Sequence, residues 1–327
     1  QGIPLVVDAL AGEIICQPDE AVRRQLEAKR ERFADERRIQ QTYLHRDAVT
    51  TDGVRIQIGI NIGGSETDFS SCDYCGLFRT EFLFLNRQEL PDEQTQFMQY
   101  CKVLENAGGR LVTLRTLDIG GDKHCDCLSL EEEDNPFLGF RAIRICLQQK
   151  DMFKVQLRSI LRAGLYGKLA IMIPMVTMLS EILETKQLIE EVKEEMRKEN
   201  IPFAEDVPVG IMVETPASAV MAPLFAKHVD FFSIGTNDLT QYTLAIDRQN
   251  EQLDDFYNPH HEAVLRMIRM VVENAHKCGK WAGICGELGA DLTLTEQFVR
   301  MGVDELSVAP SMILKLRKIV REMKAEE

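Results

Sequence analysis

The sequence lacks a long uncharged apolar run: no hydrophobic stretch approaches the ~18 residues needed to cross a bilayer as a helix. At its start it also lacks a basic segment followed by an apolar one, the pattern of a secretory signal. Positive charge is scarce, since 38 Lys and Arg residues against 52 Asp and Glu residues give a net charge of −14. This balance argues against nucleic acid or an anionic membrane as a partner. We therefore expect a cytoplasmic protein without membrane insertion.

A regular set of paired cysteines is lacking as well. The nine cysteines are odd in number and scattered, which indicates reduced thiols rather than a disulfide framework. Two groups stand out, Cys72 with Cys75 and His124 with Cys125 and Cys127. A Cys/His metal site is conceivable there. Because the spacing fits no standard ligand pattern, we favour unusual thiols in mobile loops.

The first 47 residues differ from the rest of the chain. Segments 4–7 and 13–16 flank a turn-forming stretch and predict a β-hairpin. A lone hairpin is marginal in water, so we expect residues 1–17 to be the end of a further domain that precedes them. Residues 18–47 predict a charged helix with a thin apolar side, typical of a linker between domains, although an ordinary exposed helix has the same pattern.

The remaining residues, 48–327, alternate between short apolar runs and segments of helical period. The predicted strands are 54–60, 75–78, 111–114, 169–173, 208–213, 231–234, 281–284 and 306–308. The predicted helices are 92–107, 137–149, 152–163, 180–197, 216–228, 262–278 and 310–323. Eight strands that alternate with helices over ~250 residues predict an α/β (β/α)8 TIM barrel preceded by the linker helix. An open doubly wound sheet is the alternative fold.

Polar residues follow the predicted strands at the points where they end. In a (β/α)8 barrel all these ends share one face, and catalytic residues lie there. The strand-end residues are Arg79, Arg115, Glu214, Asn237, Asp238 and Cys285. Arg248 lies ten residues after Asp238, in the same predicted loop region.

The types of these residues suit the binding of an anion with a metal ion. Glu214 and Asp238, from adjacent strands, are a natural pair of ligands for Mg²⁺, which takes its other ligands from water and substrate. Arginines on the same rim match a phosphate or carboxylate through forked hydrogen bonds. Each residue also has a structural alternative: a salt bridge for an arginine or a glutamate, and a small core residue for Cys285. Their joint position favours a functional site.

Five segments resemble one enzyme family. The segment at 76–84 reads Gly-Leu-Phe-Arg-Thr-Glu-Phe-Leu-Phe, and the others lie at 115–123, 135–144, 229–242 and 283–287. In this order they resemble enzyme I, the phosphoenolpyruvate–protein phosphotransferase of the bacterial sugar phosphotransferase system. Pyruvate phosphate dikinase and phosphoenolpyruvate synthase share the barrel, but the first segment is more similar to that of enzyme I.

The resemblance implies a barrel at residues 48–327 that binds phosphoenolpyruvate and dimerises. By matching motifs, Glu214 and Asp238 would hold Mg²⁺, and Cys285 would give a proton to the methylene carbon of the substrate. The implied substrate-binding residues are Arg79, Arg115, Arg141, Asn237 and Arg248.

The family also transfers the phosphoryl group to a histidine in a separate swivelling domain, and from there to the carrier protein HPr. None of the six histidines lies in the expected Gly-Gly-x-x-Ser-His context. The resemblance therefore implies that residues 1–17 are a remnant of the swivelling domain and that this chain alone does not phosphorylate HPr. Two other interpretations stay open: a lyase-like barrel acting on a Mg²⁺-bound enolate, and a non-catalytic phosphoenolpyruvate sensor or dimerisation module.

Overall fold

The computed structural model describes residues 2–9, 11–121, 123, 125–128 and 130–325. The chain divides into two compact units, residues 1–46 and residues 47–327. No helix in the described ranges is long and apolar enough to cross a membrane.

The first unit contains the predicted hairpin and the predicted helix. Strands β1 (Leu5–Asp8) and β2 (Glu13–Cys16) pair antiparallel. Helix α1 (Glu20–Gln41) begins after Asp19, whose carboxylate accepts a hydrogen bond of 2.7 Å from the N–H of Val22. This cap satisfies one of the free N–H groups of the first turn. No residue of α1 is buried, and the helix ends before the predicted boundary because the chain turns at residues 42–46.

The second unit is built on a closed barrel of eight parallel strands, which confirms the predicted fold. The strands are β3 Gln57–Ile62, β4 Cys75–Arg79, β5 Val112–Arg115, β6 Leu169–Ile173, β7 Val209–Val213, β8 Phe231–Ile234, β9 Trp281–Ile284 and β10 Glu305–Val308. Pairing of β10 with β3 closes the barrel and excludes the open sheet. Strand β3 begins later than predicted because Ile56 donates its N–H to the carbonyl of Ala48, outside the barrel.

Helices follow every barrel strand except β3, which is joined to β4 by residues 63–74 without a helix. They are α2 Glu93–Ala107, α3 Ile143–Gln148, α4 Lys150–Ala163, α5 Leu179–Lys198, α6 Pro216–Val220, α7 Ala222–Phe225, α8 Thr236–Leu244, α9 Glu262–Lys277, α10 Thr295–Arg300 and α11 Ile313–Glu322. The prediction of a single helix at 216–228 is wrong. Pro223 lacks the N–H that would continue α6, so the chain starts a second short helix there. Helices α8 and α10 were not predicted.

Two apolar clusters support the barrel. The larger cluster joins strands to the surrounding helices. The smaller consists of Leu77, Ala170, Met172, Met212, Phe231 and Cys285. Its members come from β4, β6, β7, β8 and the end of β9, so they bring opposite sides of the barrel together. Side chains of this kind fill a barrel interior and leave the carboxyl ends of the strands as the open face.

Candidate functional site

The carboxyl ends of the strands carry most of the residues predicted to form a site. Arg79 and Arg115 are the last residues of β4 and β5 and are paired in the sheet register. Glu214 comes directly after β7, and Cys285 directly after β9. Asp238 does not lie in a loop, as expected from the sequence, but in the first turn of α8. The parallel barrel accordingly gathers these side chains at one end.

Glu214 and Asp238 form a pair of carboxylates with little access to water. Glu214 is 1% exposed, and its Oε1 accepts a hydrogen bond of 2.9 Å from the N–H of Met175. Burial, followed by the charge of Asp238, raises the pKa of Glu214 to about 8. Gly235 leaves room for Glu214, because a Cβ atom there would lie 2.8 Å from Cγ of Glu214. Two acids whose charges repel each other in this way are destabilised when both are ionised, unless a cation joins them.

The donor set of this pair fits Mg²⁺. Oδ1 of Asp238 is buried and has no hydrogen-bond partner in the described part of the chain. The described residues contain no group of three or more His, Cys, Asp or Glu side chains that could hold a metal ion. Mg²⁺ suits such a sparse set, because it binds through one or two carboxylates and completes its octahedron with water and substrate oxygens.

Beside the pair lies a buried network of cations around Asp118. Its carboxylate contacts Arg115 at 2.9 Å, Lys123 at 2.9 Å and Arg141 at 3.0 Å. Arg115 and Lys123 also contact Glu81. Burial alone would raise the pKa of Asp118, but the charges of these three cations hold it well below its usual range. The network therefore fixes three positive groups, with Arg115 and Arg141 buried and Lys123 half-buried, before any ligand arrives.

Arg141 connects this network to the carboxylate pair. It is 2% exposed, and its Nη1 lies 3.5 Å from Oδ1 of Asp238. Nη1 also donates a hydrogen bond of 3.1 Å to the hydroxyl of Tyr242, which in turn donates to the carbonyl of Phe137. Nε atoms of both Arg115 and Arg141 are buried without a hydrogen-bond partner among the described residues. A buried donor without a partner calls for an explanation, and a bound anion would supply one.

Arg79 and Arg248 are less constrained. The guanidinium group of Arg79 is exposed and makes no hydrogen bond or ion pair with any residue that the structure describes. Arg248 is half-buried, and its Nη2 lies 4.0 Å from Oδ2 of Asp238. The predicted arginines thus fall into two classes: Arg115 and Arg141 are buried in ion pairs, whereas Arg79 and Arg248 are more accessible to solvent.

Cys285 is buried at the end of β9. Its thiol donates a weak hydrogen bond of 3.7 Å to the carbonyl of Ile234, and burial raises its pKa to about 11. The backbone carbonyl of Cys285 accepts a hydrogen bond of 2.8 Å from the side chain of Asn61. The sulfur is therefore held in one place and remains a thiol at neutral pH.

The side-chain amide of Asn237, a predicted substrate-binding residue, is hydrogen-bonded to Glu287 instead. Its Nδ2 donates to Oε1 of Glu287 at 3.0 Å, and its Oδ1 accepts from the N–H of Glu287 at 2.9 Å. Both ends of the amide are therefore used to join α8 to the segment after β9.

The cysteine groups do not form a metal site in the described residues. Cys125 and Cys127 are joined by a disulfide, so the expectation that all cysteines are reduced is wrong for this pair. The chain turns at residues 126 and 127, and the two Cα atoms are 5.4 Å apart. Cys72 and Cys75 are buried free thiols. His124, the other predicted ligand, lies outside the described residues.

Several residues of the site were missed by reasoning from the sequence. Asp118 and Lys123 lie in the recognised segment 115–123, but nothing in the sequence says which arginine each contacts. Tyr242 follows Asp238 by one helical turn, a spacing that places both on one face of α8 once the helix is known. Asn61 could have been found, since it lies at the end of β3 as the other candidates lie at the ends of their strands.

Known proteins are similar to this chain over nearly its whole length. Residues 37–325 match the family model described as "PEP-utilising enzyme, PEP-binding domain". A phosphoenolpyruvate-protein phosphotransferase of Staphylococcus aureus is 45% identical over all of this chain and 58% of its own length. One from Priestia megaterium is 44% identical over 98% of this chain and 57% of its own length. The chain thus spans a little over half of these curated relatives.

Among solved structures, a HpcH/HpaI aldolase/citrate lyase family protein from Burkholderia cenocepacia J2315 is 13% identical, with a TM-score of 0.47. The alignment covers 86% of this chain and 95% of that one. A similarity at this level says nothing about chemistry. The curated relatives, in contrast, confirm the resemblance to enzyme I. The chain belongs to the family of PEP-binding domains of PEP-utilising enzymes, where PEP is phosphoenolpyruvate.

Proposed function

We propose that the barrel binds phosphoenolpyruvate together with Mg²⁺ at its carboxyl rim, as the substrate-binding part of a phosphoenolpyruvate–protein phosphotransferase. The observation that carries this proposal is the buried pair of Glu214 and Asp238 next to the cations that surround Asp118. A site with a cation position and fixed arginines side by side suits a ligand that carries both phosphate and carboxylate.

In this proposal Glu214 and Asp238 hold Mg²⁺. When bound, the ion supplies positive charge that stabilises negative charge developing on the substrate. Arg115 and Arg141 bind the phosphate through their unused Nε donors and stay in position through Asp118. Arg79 and Arg248 turn toward the anion from the periphery, and Asn237 assists through its backbone.

Cys285 is proposed to deliver the proton. Loss of the phosphoryl group from phosphoenolpyruvate leaves an enolate, whose C=C electron pair takes the proton of the thiol to form a C–H bond. The products are pyruvate and a thiolate. A thiol whose pKa is raised to about 11 is fully protonated before the reaction, as a proton donor must be.

The phosphoryl acceptor is not supplied by a histidine motif of this sequence, so we expect the chain alone not to phosphorylate HPr. We propose that residues 1–17 and 18–47 are the remnant of the swivelling domain and the linker helix, and that residues 48–327 form the phosphoenolpyruvate-binding domain. Dimerisation through the barrel and a place in sugar uptake in the cytoplasm are proposed from the same resemblance.

Calorimetric titration with phosphoenolpyruvate, with and without Mg²⁺, tests the function. We expect binding that strengthens when Mg²⁺ is present, because the carboxylate pair otherwise repels an anion. Glu214→Gln should remove the effect of Mg²⁺. Glu273→Gln makes the same change of charge at an exposed position of α9 and should leave it intact. Absence of binding by the unsubstituted chain in both conditions would overturn the proposal.

A further inference from the structure

Gln156 is a fully buried amide on α4 whose hydrogen bonds reach the ends of two barrel strands. Its side chain is 0% exposed. Oε1 accepts a hydrogen bond of 3.0 Å from the N–H of Leu117, two residues after β5 ends. Nε2 donates to the hydroxyl of Thr80 at 3.2 Å and to that of Tyr100 at 3.3 Å. One side chain of the outer helix layer therefore contacts the segments that carry Arg79 and Arg115.

The contact with Thr80 extends to Arg115 itself. The hydroxyl of Thr80 donates a hydrogen bond of 2.9 Å to the backbone carbonyl of Arg115. Gln156 thus holds this carbonyl through Thr80 and the N–H of Leu117 directly. These two bonds fix the backbone directly after the arginine, and Thr116 between them continues the sheet by donating its N–H to the carbonyl of Met172 at 2.9 Å.

The hydrogen bond from Nε2 of Gln156 to Tyr100 connects this network to α2. The hydroxyl of Tyr100 donates to Oε1 of Gln96 at 3.1 Å, and Nε2 of Gln96 donates to the carbonyl of Pro91 at 3.0 Å, just before the helix. Every member of this chain of bonds is buried. A buried amide costs free energy unless it is fully bonded, and a satisfied network of this kind holds one arrangement.

Packing alone does not call for an amide at position 156. An apolar side chain of the same length would fill the space between α4 and β5 without the cost of burying polar atoms. The amide instead satisfies the N–H of Leu117, which would otherwise be a buried donor without a partner where β5 ends. That bond fixes the backbone two residues after Arg115.

We propose that Gln156 is a positioning residue for the anion subsite of the barrel: it acts through the backbone of Arg115 and touches no ligand. This inference rests on the proposed function and adds to it a residue outside the rim. The carboxylate pair does not depend on Gln156, because Glu214 follows β7 and Asp238 lies on α8. Loss of the amide should therefore weaken anion binding and spare the metal position.

The experiment compares two ligands on one variant. Gln156→Met keeps the length of the side chain and removes the amide. We expect its Kd for phosphoenolpyruvate to rise by about ten- to a hundredfold, the usual effect of displacing a ligand-binding group by a fraction of an ångström. Its affinity for Mn²⁺, a probe of the carboxylate pair followed by the relaxation of water protons, should stay as in the unsubstituted chain.

Two further variants separate positioning from packing. Gln156→Glu, measured at mildly acidic pH, places a neutral carboxyl group that can accept from Leu117 and donate to Thr80, so phosphoenolpyruvate binding should recover. Ser159→Ala removes a different buried polar group of α4, a hydroxyl that donates to the carbonyl of Glu93 at 3.0 Å. This variant should bind both ligands normally.

The inference would be overturned if Gln156→Met bound phosphoenolpyruvate and Mn²⁺ more weakly by the same factor. It would also be overturned if the folded variant bound phosphoenolpyruvate normally. The same loss in Ser159→Ala would overturn it too, since it would mean a general effect of α4. If the unsubstituted chain itself binds no phosphoenolpyruvate, the proposed function fails and this inference fails with it.

Discussion

Replacement of Asp118 by asparagine tests whether the rim is held together by buried charge. The carboxylate contacts three cations at 2.9–3.0 Å and is 1% exposed. Asparagine keeps the shape and can still accept hydrogen bonds, but of the residues that the structure describes it leaves the three cations with only Glu81 and Asp238 as negative ion-pair partners. Removing one partner from a buried ion pair costs about 3–5 kcal/mol. We expect Asp118→Asn to lower the free energy of unfolding by that amount, a large share of the ~5–15 kcal/mol typical of folded proteins.

The assay is urea unfolding of the chain followed by circular dichroism at neutral pH. Asp126→Asn is the matched control, because Asp126 lies in the same loop but is exposed and, among the described residues, accepts only from Gln88, at 3.2 Å. It should change the midpoint little. A loss of less than about 1 kcal/mol in Asp118→Asn would refute the reasoning, because exposed pairs contribute no more than that.

The difference in stability between Asp118→Asn and the unsubstituted chain should depend on pH. The pKa of Asp118 is lowered in the folded state, so its contribution to stability is present above its unfolded pKa and is lost as the pH falls toward the folded one. The difference between Asp118→Asn and the unsubstituted chain should therefore be full at neutral pH and shrink below about pH 4. A difference that grew on acidification would contradict the assignment of charge.

Two other predictions concern groups with raised pKa values. Cys285→Ala should bind pyruvate but slow the exchange of its methyl protons with D2O, seen by NMR, by about 10²–10⁴-fold, whereas exposed Cys278→Ala should exchange normally; normal exchange in Cys285→Ala would exclude the proton role. Burial, followed by the charge of Asp304, raises the pKa of Glu305 to about 8, so the folded state loses stability as the pH rises through 8. Glu305→Gln should remove this loss, worth on the order of a few kcal/mol; thermal unfolding curves that stay parallel from pH 6 to 9 would count against it.

Much of the barrel could be predicted because its strands are short, apolar and flanked by polar or glycine-rich segments. The strands 169–173, 231–234 and 281–284 have the predicted bounds. Helix α8 was missed since Gly235 and the residues after it read as a turn. The same small polar residues also suit the first turn of a helix, and the sequence does not distinguish the two.

The site was predictable where it follows from topology alone. Glu214 and Asp238 follow neighbouring strands, so a closed barrel brings them together without further information. The partners of Arg141 could not be inferred in this way. Asp118 is 23 residues away and Tyr242 is 101 residues away, and both contacts depend on how a loop folds over the rim. The positions of the strand ends do not predict such contacts.

The burial of Arg115 and Arg141 has a consequence for how fast an anion reaches the rim. Their charge is largely compensated by Asp118 and Glu81, so it is felt only at short range, while the whole chain, with a net charge of −14, repels anions from a distance. Salt screens this long-range repulsion far more than it screens contacts inside the protein. The association rate constant of an anionic ligand should therefore increase with ionic strength, and the dissociation rate constant should hardly change.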